Sequence, residues 1–104
     1  MYLVVFRNRK RADIDQATYS ADAAHMEAMA KEQPGYLFFK SYTADDGEVV
    51  ALSEWTDEAS ARAWGRQEEH RAMQAHSRAA YYASYTLFAC SPSRIHRFTT
   101  KDET

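Results

Sequence analysis

SEWTDEASARAWGRQEEHRAMQAHSRAAYYASY, residues 53–85, is the stretch whose reading decides the fold. It holds both tryptophans, two of the four histidines and three of the seven tyrosines. It leaves a strand at Trp55, passes through a long helical segment and re-enters a strand at Tyr82. Thr56 and Asp57 are N-cap residue types, and Glu58 favours a first helical turn. Gly65 weakens a helix by about 1 kcal/mol relative to Ala. A break is therefore expected there, between a short helix over 57–64 and a longer one over 67–80. Bulky aromatics beside groups that titrate near neutral pH mark this stretch as a pocket wall.

Working outward, Tyr2 to Arg9 alternates and is rich in β-branched and aromatic residues, which predicts a strand. Tyr2, Val4, Phe6 and Asn8 share one of its faces. Lys10 to Ala17 is polar and reads as a loop. From about Thr18 to Gln33, Tyr19, Ala23, Met26 and Ala30 recur at helical spacing. Pro34-Gly35 ends that helix. Tyr36 to Thr43 and Glu48 to Trp55 read as strands joined by a hairpin turn at Asp46-Gly47. Tyr82 to Cys90 is a fourth strand, with Arg94 to Phe98 as a short continuation. Tyr82 and Tyr85 are expected on opposite sheet faces, one toward the pocket and one toward an interface.

The order β-α-β-β-α-β predicts an α+β ferredoxin-like fold with an antiparallel sheet and both helices on one face. The domain spans 1–98, followed by a polar tail over 99–104. The strands alternate poorly, with apolar side chains on both faces. A second copy covering the face without helices, as a homodimer, is the expected solution.

Composition narrows the function. Apolar residues make up 45% and charged residues 27% of 104 residues, as in ordinary globular domains. A net charge of −2 gives no footprint for nucleic acid, and no basic helix suits a membrane surface. A cytoplasmic protein is expected. The single cysteine, Cys90, lies in the apolar run YTLFAC and reads as a buried, inert thiol. No phosphate loop and no metal-spaced His/Cys cluster is present, so neither metal nor other cofactor is expected.

Pro34-Gly35-Tyr36-Leu37, Ser53-Glu54-Trp55, Ala63-Trp64, Glu69-His70-Arg71 and Tyr82 to Tyr85, in this element order, resemble the antibiotic biosynthesis monooxygenase family. The resemblance covers almost the whole chain. It implies a dimeric α+β barrel with a small-molecule pocket in each subunit between sheet and helices. Some members oxidise polycyclic phenols with O2 and no metal or flavin, others degrade haem, and many have no assigned reaction. By resemblance, Trp64 is the pocket tryptophan. His70, six residues later, occupies the place of a hydrogen-bonding tyrosine in quinone-forming members. Asn8 lies near the place of a strand-one asparagine in haem-degrading members, which makes it a candidate donor to a substrate oxygen. Other family positions differ, with Ser60 and Ser84 where oxidising members carry Asn and Arg, and Gln74 where haem-degrading members carry His.

The expected catalytic set is therefore His70, Trp64 and Asn8, with Trp55, Tyr82, Tyr85 and His76 as substrate contacts. The corresponding function is a cofactor-independent monooxygenase acting on a small aromatic or quinonoid compound. A non-catalytic ligand-binding or stress-related dimer and a haem-binding protein are the alternatives.

Overall fold

The computed structural model describes residues 1–100. Seven elements follow one another: β1 (Tyr2–Lys10), α1 (Gln16–Lys31), β2 (Tyr36–Thr43), β3 (Val49–Trp55), α2 (Glu58–Arg66), α3 (Glu68–Ala80) and β4 (Tyr82–Cys90). The strands form one antiparallel sheet in the order β2-β3-β1-β4. This is the expected α+β ferredoxin-like arrangement, with the second helical segment divided in two. Lys10, read as the start of a loop, instead ends β1. Residues 94–98 form no strand. Of the expected tail over 99–104, positions 101–104 lie outside the described residues.

Register assigns the faces. Tyr2 pairs with Trp55, and Trp55 with Tyr36. Tyr2, Val4, Phe6, Asn8 and Lys10 therefore share a face with Trp55 and Tyr36. All three helices lie on this side. Trp64 of α2 stacks on Trp55, Tyr19 of α1 lies beside Lys10, and Tyr81 at the end of α3 meets Tyr19. Asp15 caps α1 by accepting the Thr18 N–H, and Asp57 caps α2 by accepting the Ser60 N–H. These hydrogen bonds hold both carboxyls below the usual carboxylate range.

The opposite face carries Leu3, Val5, Phe38, Tyr42 and Phe88. Phe38 is 37% exposed and Phe88 50% exposed, so large apolar side chains on this face are uncovered in the single chain. Cys90 corrects its expectation. It is exposed, because β4 is an edge strand and Cys90 pairs with Leu3 on the face without helices.

Gly35 closes the turn after α1 with φ of +84°, a region that favours glycine. Its carbonyl accepts the Thr56 N–H at 2.8 Å, tying the α1–β2 turn to the end of β3. A Cβ here would collide with the Ser60 side chain and lie 2.7 Å from Thr56 Oγ1. Gly35→Ala is expected to destabilise the fold by about 1–3 kcal/mol, the usual cost of a forced backbone conformation. Urea unfolding checks this, and a loss below about 0.5 kcal/mol, the range of ordinary surface changes, would contradict it.

Candidate functional site

The division between α2 and α3 builds one half of the site. The helix runs through Gly65 and ends two residues later than expected, at Arg66. Gly65 has an ordinary helical backbone, and a Cβ there would meet nothing within 4 Å, so nothing forces a break at that point. Gln67 turns extended, with φ −59° and ψ 132°. Its side chain then caps α3 by accepting the His70 N–H at 2.7 Å. In an unbroken helix the Trp64 carbonyl would accept from the N–H four residues on. Here it accepts the Gln67 N–H at 3.2 Å and a ring N–H from His70 at 2.8 Å.

That bond fixes the imidazole. A carbonyl oxygen can only accept, so Nδ1 of His70 carries the hydrogen and Nε2 of the neutral ring holds the lone pair. The ring lies flat on the Trp64 indole, with centroids 4.1 Å apart and planes 10° from parallel. Burial pushes the His70 pKa down and outweighs the opposing effect of the bond to the Trp64 carbonyl. His70 thus sits neutral at pH 7, with Nε2 available to take a proton. No signal at Gln67 marked the break in advance, because glutamine is an uncommon cap.

Behind Trp64 the column continues. Trp55 stacks on Trp64 at 6.5 Å, and Tyr36 meets Trp55 edge-on at 5.9 Å. Trp55 is only 1% exposed, and its indole N–H donates to Ser53 Oγ at 3.1 Å. Trp55, expected as a substrate contact, thus lies buried behind Trp64 in this column.

Asn8 lies at the other end of the same face. It is six residues along β1 from Tyr2, the partner of Trp55, which is roughly 20 Å of strand. It is 3% exposed, and its Oδ1 accepts a hydrogen bond from the Lys10 amine. That amine also stands 4.7 Å from the centroid of the Tyr19 ring and 5.5 Å from that of Tyr82. Burial lowers the Lys10 pKa and raises those of Tyr19 and Tyr82.

Tyr82 and Tyr85 are not on opposite faces. Lys10 pairs with Tyr82 but Arg9 with Ser84, so Ala83 is left over and β4 carries a bulge. The extra residue reverses the alternation and brings both tyrosines to the helix side. Both rings meet Phe6, at 5.3 and 5.1 Å. His76, expected as a substrate contact, is exposed on α3. Its Nε2 is 3.6 Å from Asp22, and its ring meets Tyr81 edge-on. Tyr81 donates to Asp22 at 2.5 Å, which pushes its pKa up to about 12.

The structure thus unites Trp64 with His70 and, separately, Asn8 with Lys10, Tyr82 and Tyr85. Lys10 was missed because a lysine opening a polar run carries no mark of its pairing with β4. Among the described residues no cluster of three or more His, Cys, Asp or Glu side chains is placed to hold a metal.

The sequence matches the description "Antibiotic biosynthesis monooxygenase" over residues 1–76, from β1 into α3 and across the whole Trp64–His70 element. The chain belongs to this family. Among individual proteins it is 28% identical over 97 residues to the uncharacterised YqjZ of Bacillus subtilis, spanning 93% of this chain and 83% of YqjZ. Its fold is shared with SnoaB, a cofactor-independent oxygenase from Streptomyces nogalater, at a TM-score of 0.76 and 19% identity, covering 98% of this chain and 97% of that one. Rv0793 from Mycobacterium tuberculosis has the same fold, at a TM-score of 0.78 and 15% identity over 92% of this chain and 98% of its own. Among the described residues, no helix of this family member is long and apolar enough to cross a membrane.

Proposed function

We propose that the protein is a monooxygenase that acts, without metal or flavin, on a small aromatic or quinonoid substrate between sheet and helices. One observation carries the reading: His70 is held neutral against Trp64 with Nδ1–H committed to a carbonyl, which leaves Nε2 as a base. Family membership and the likeness to SnoaB agree with it. The substrate's phenolic proton passes to Nε2, and the Trp64 indole is the wall on which its rings lie. The resulting substrate carbanion is the reductant of O2. A ring CH2 becomes C=O, one oxygen atom stays in the product and the other leaves as water. Oxygen electrode measurements on a panel of anthrones and hydroquinones test this, and uptake no faster than buffer across the panel would sink it.

A non-catalytic ligand-binding protein is the second reading. It draws on Asn8, which lies roughly 20 Å of strand from the Trp55 end and is engaged by Lys10.

The same proposal makes the protein a cytoplasmic homodimer, one domain over 1–98, joined through the sheet face without helices. The exposed Phe38, Tyr42 and Phe88 on that face support the pairing. Sedimentation at micromolar concentration is expected to give twice the chain mass; a value near 12.0 kDa excludes the dimer.

A further inference from the structure

The Lys10 end of the helix-side face has an unusual make-up. Its amine is half-buried, donates to the buried Asn8 Oδ1 and lies over the rings of Tyr19 and Tyr82. Among the described residues no carboxylate stands within ion-pair distance of it, although Arg7, Arg9 and Arg62 each have one. An ammonium has three hydrogens, and Asn8 accepts one. Beside it the helix side of β4 is not filled. Tyr85 is 43% exposed and Leu87 50% exposed, although both face the side the helices occupy. Together with Phe6 they form an open apolar floor leading to a cation without a counter-ion.

We propose that Lys10 is the anion-recognising residue of this open face, holding the carboxylate or other anionic oxygen of an aromatic ligand whose rings lie on Phe6, Tyr85 and Leu87. The proposal rests on the reading of the helix side of the sheet as a ligand site, and not on proton transfer by His70. The β4 bulge is part of the device, since it brings Tyr82 to the amine. The ring faces and Asn8 hold the amine in one place before any ligand arrives, so little freedom is lost on binding. Burial already lowers the Lys10 pKa, so the charge is held at a cost that an anionic ligand relieves.

Calorimetric titration with 2-naphthoate and its neutral isostere 2-naphthamide separates charge from shape. The wild-type protein is expected to bind naphthoate about tenfold tighter or more, the scale of one charge-assisted contact. Lys10→Met is expected to lose that preference while keeping its affinity for the amide, and Lys10→Arg to keep part of it. The naphthoate affinity of the wild type is expected to fall with added salt while the naphthamide affinity does not, a test that needs no variant. Equal binding of the two probes, no binding of either, a salt-independent preference, or a preference retained in Lys10→Met overturns the proposal. Loss of oxygen uptake in other variants leaves these outcomes untouched, so the two readings fail separately.

Discussion

His70→Gln is expected to lower oxygen uptake on a competent phenolic substrate by about 100-fold or more, the usual contribution of a positioned general base. Glutamine keeps a planar polar group near Trp64 but has no lone pair basic enough to take a phenolic proton. Because burial pushes the His70 pKa down, the base form persists below the ordinary histidine range. Uptake by the wild type is therefore expected to fall only in mildly acid solution, as pH drops through that lowered value. The variant is expected to lack this acid limb. Stability follows the same sign. The unfolded chain protonates His70 more readily than the folded one, so its contribution is complete above the unfolded-state pKa and is lost as pH falls through the folded-state pKa. Titrating the His70 ring protons by NMR gives the pKa directly. Full activity in the variant, or an unchanged acid limb, would remove His70 from the reaction.

Trp55→Ala is expected to have the largest effect on folding, about 3–5 kcal/mol. Ala30, Trp55 and Tyr81 are the buried hydrophobic residues among those described, and Trp55 is the largest fully buried side chain. Its indole joins Tyr36 of β2 to Trp64 of α2 and anchors its own N–H on Ser53. Removing it opens a cavity at the meeting of two strands and a helix. It also strands the Trp64–His70 pair without support on one side. A small domain holds only about 5–15 kcal/mol in total, so this change takes a large share. Urea unfolding of wild type and variant measures it, and a loss under about 1 kcal/mol, the typical single-mutation effect, would show that the column is not the centre of the core.

The strand and helix order was legible because each element shows its own period. The alternation of Tyr2 to Arg9 and the Pro34-Gly35 stop are local signals, and the structure follows them. The sheet's second apolar face was also readable, since Phe38 and Phe88 stand at positions a one-sided sheet would make polar. What stayed hidden depends on strand pairing and on contacts that form only once the backbone has turned. The β4 bulge follows from how Arg9 and Lys10 meet Tyr82 and Ser84, and strict alternation therefore put Tyr82 and Tyr85 on different faces. The break at Gln67 follows from a side chain capping the next helix, a choice made once the backbone has turned. Trp64 and His70 were identified as a pair, but the carbonyl that sets the imidazole tautomer belongs to Trp64 itself and shows only in the folded turn. Lys10 acquires its surroundings from Tyr19 of α1 and Tyr82 of β4, which only the folded chain brings together.

The stacking of Trp55 on Trp64 has an optical consequence. These are the chain's two tryptophans, and both lie in the column that ends at His70. Indole emission therefore arises from one place in the molecule. Two stacked indoles couple their transitions, which gives a paired band in circular dichroism, and an imidazolium against one of them quenches its light. The protein carries an unlabelled reporter of its own: ring protonation, the approach of a ligand and the opening of the helix break would each register there.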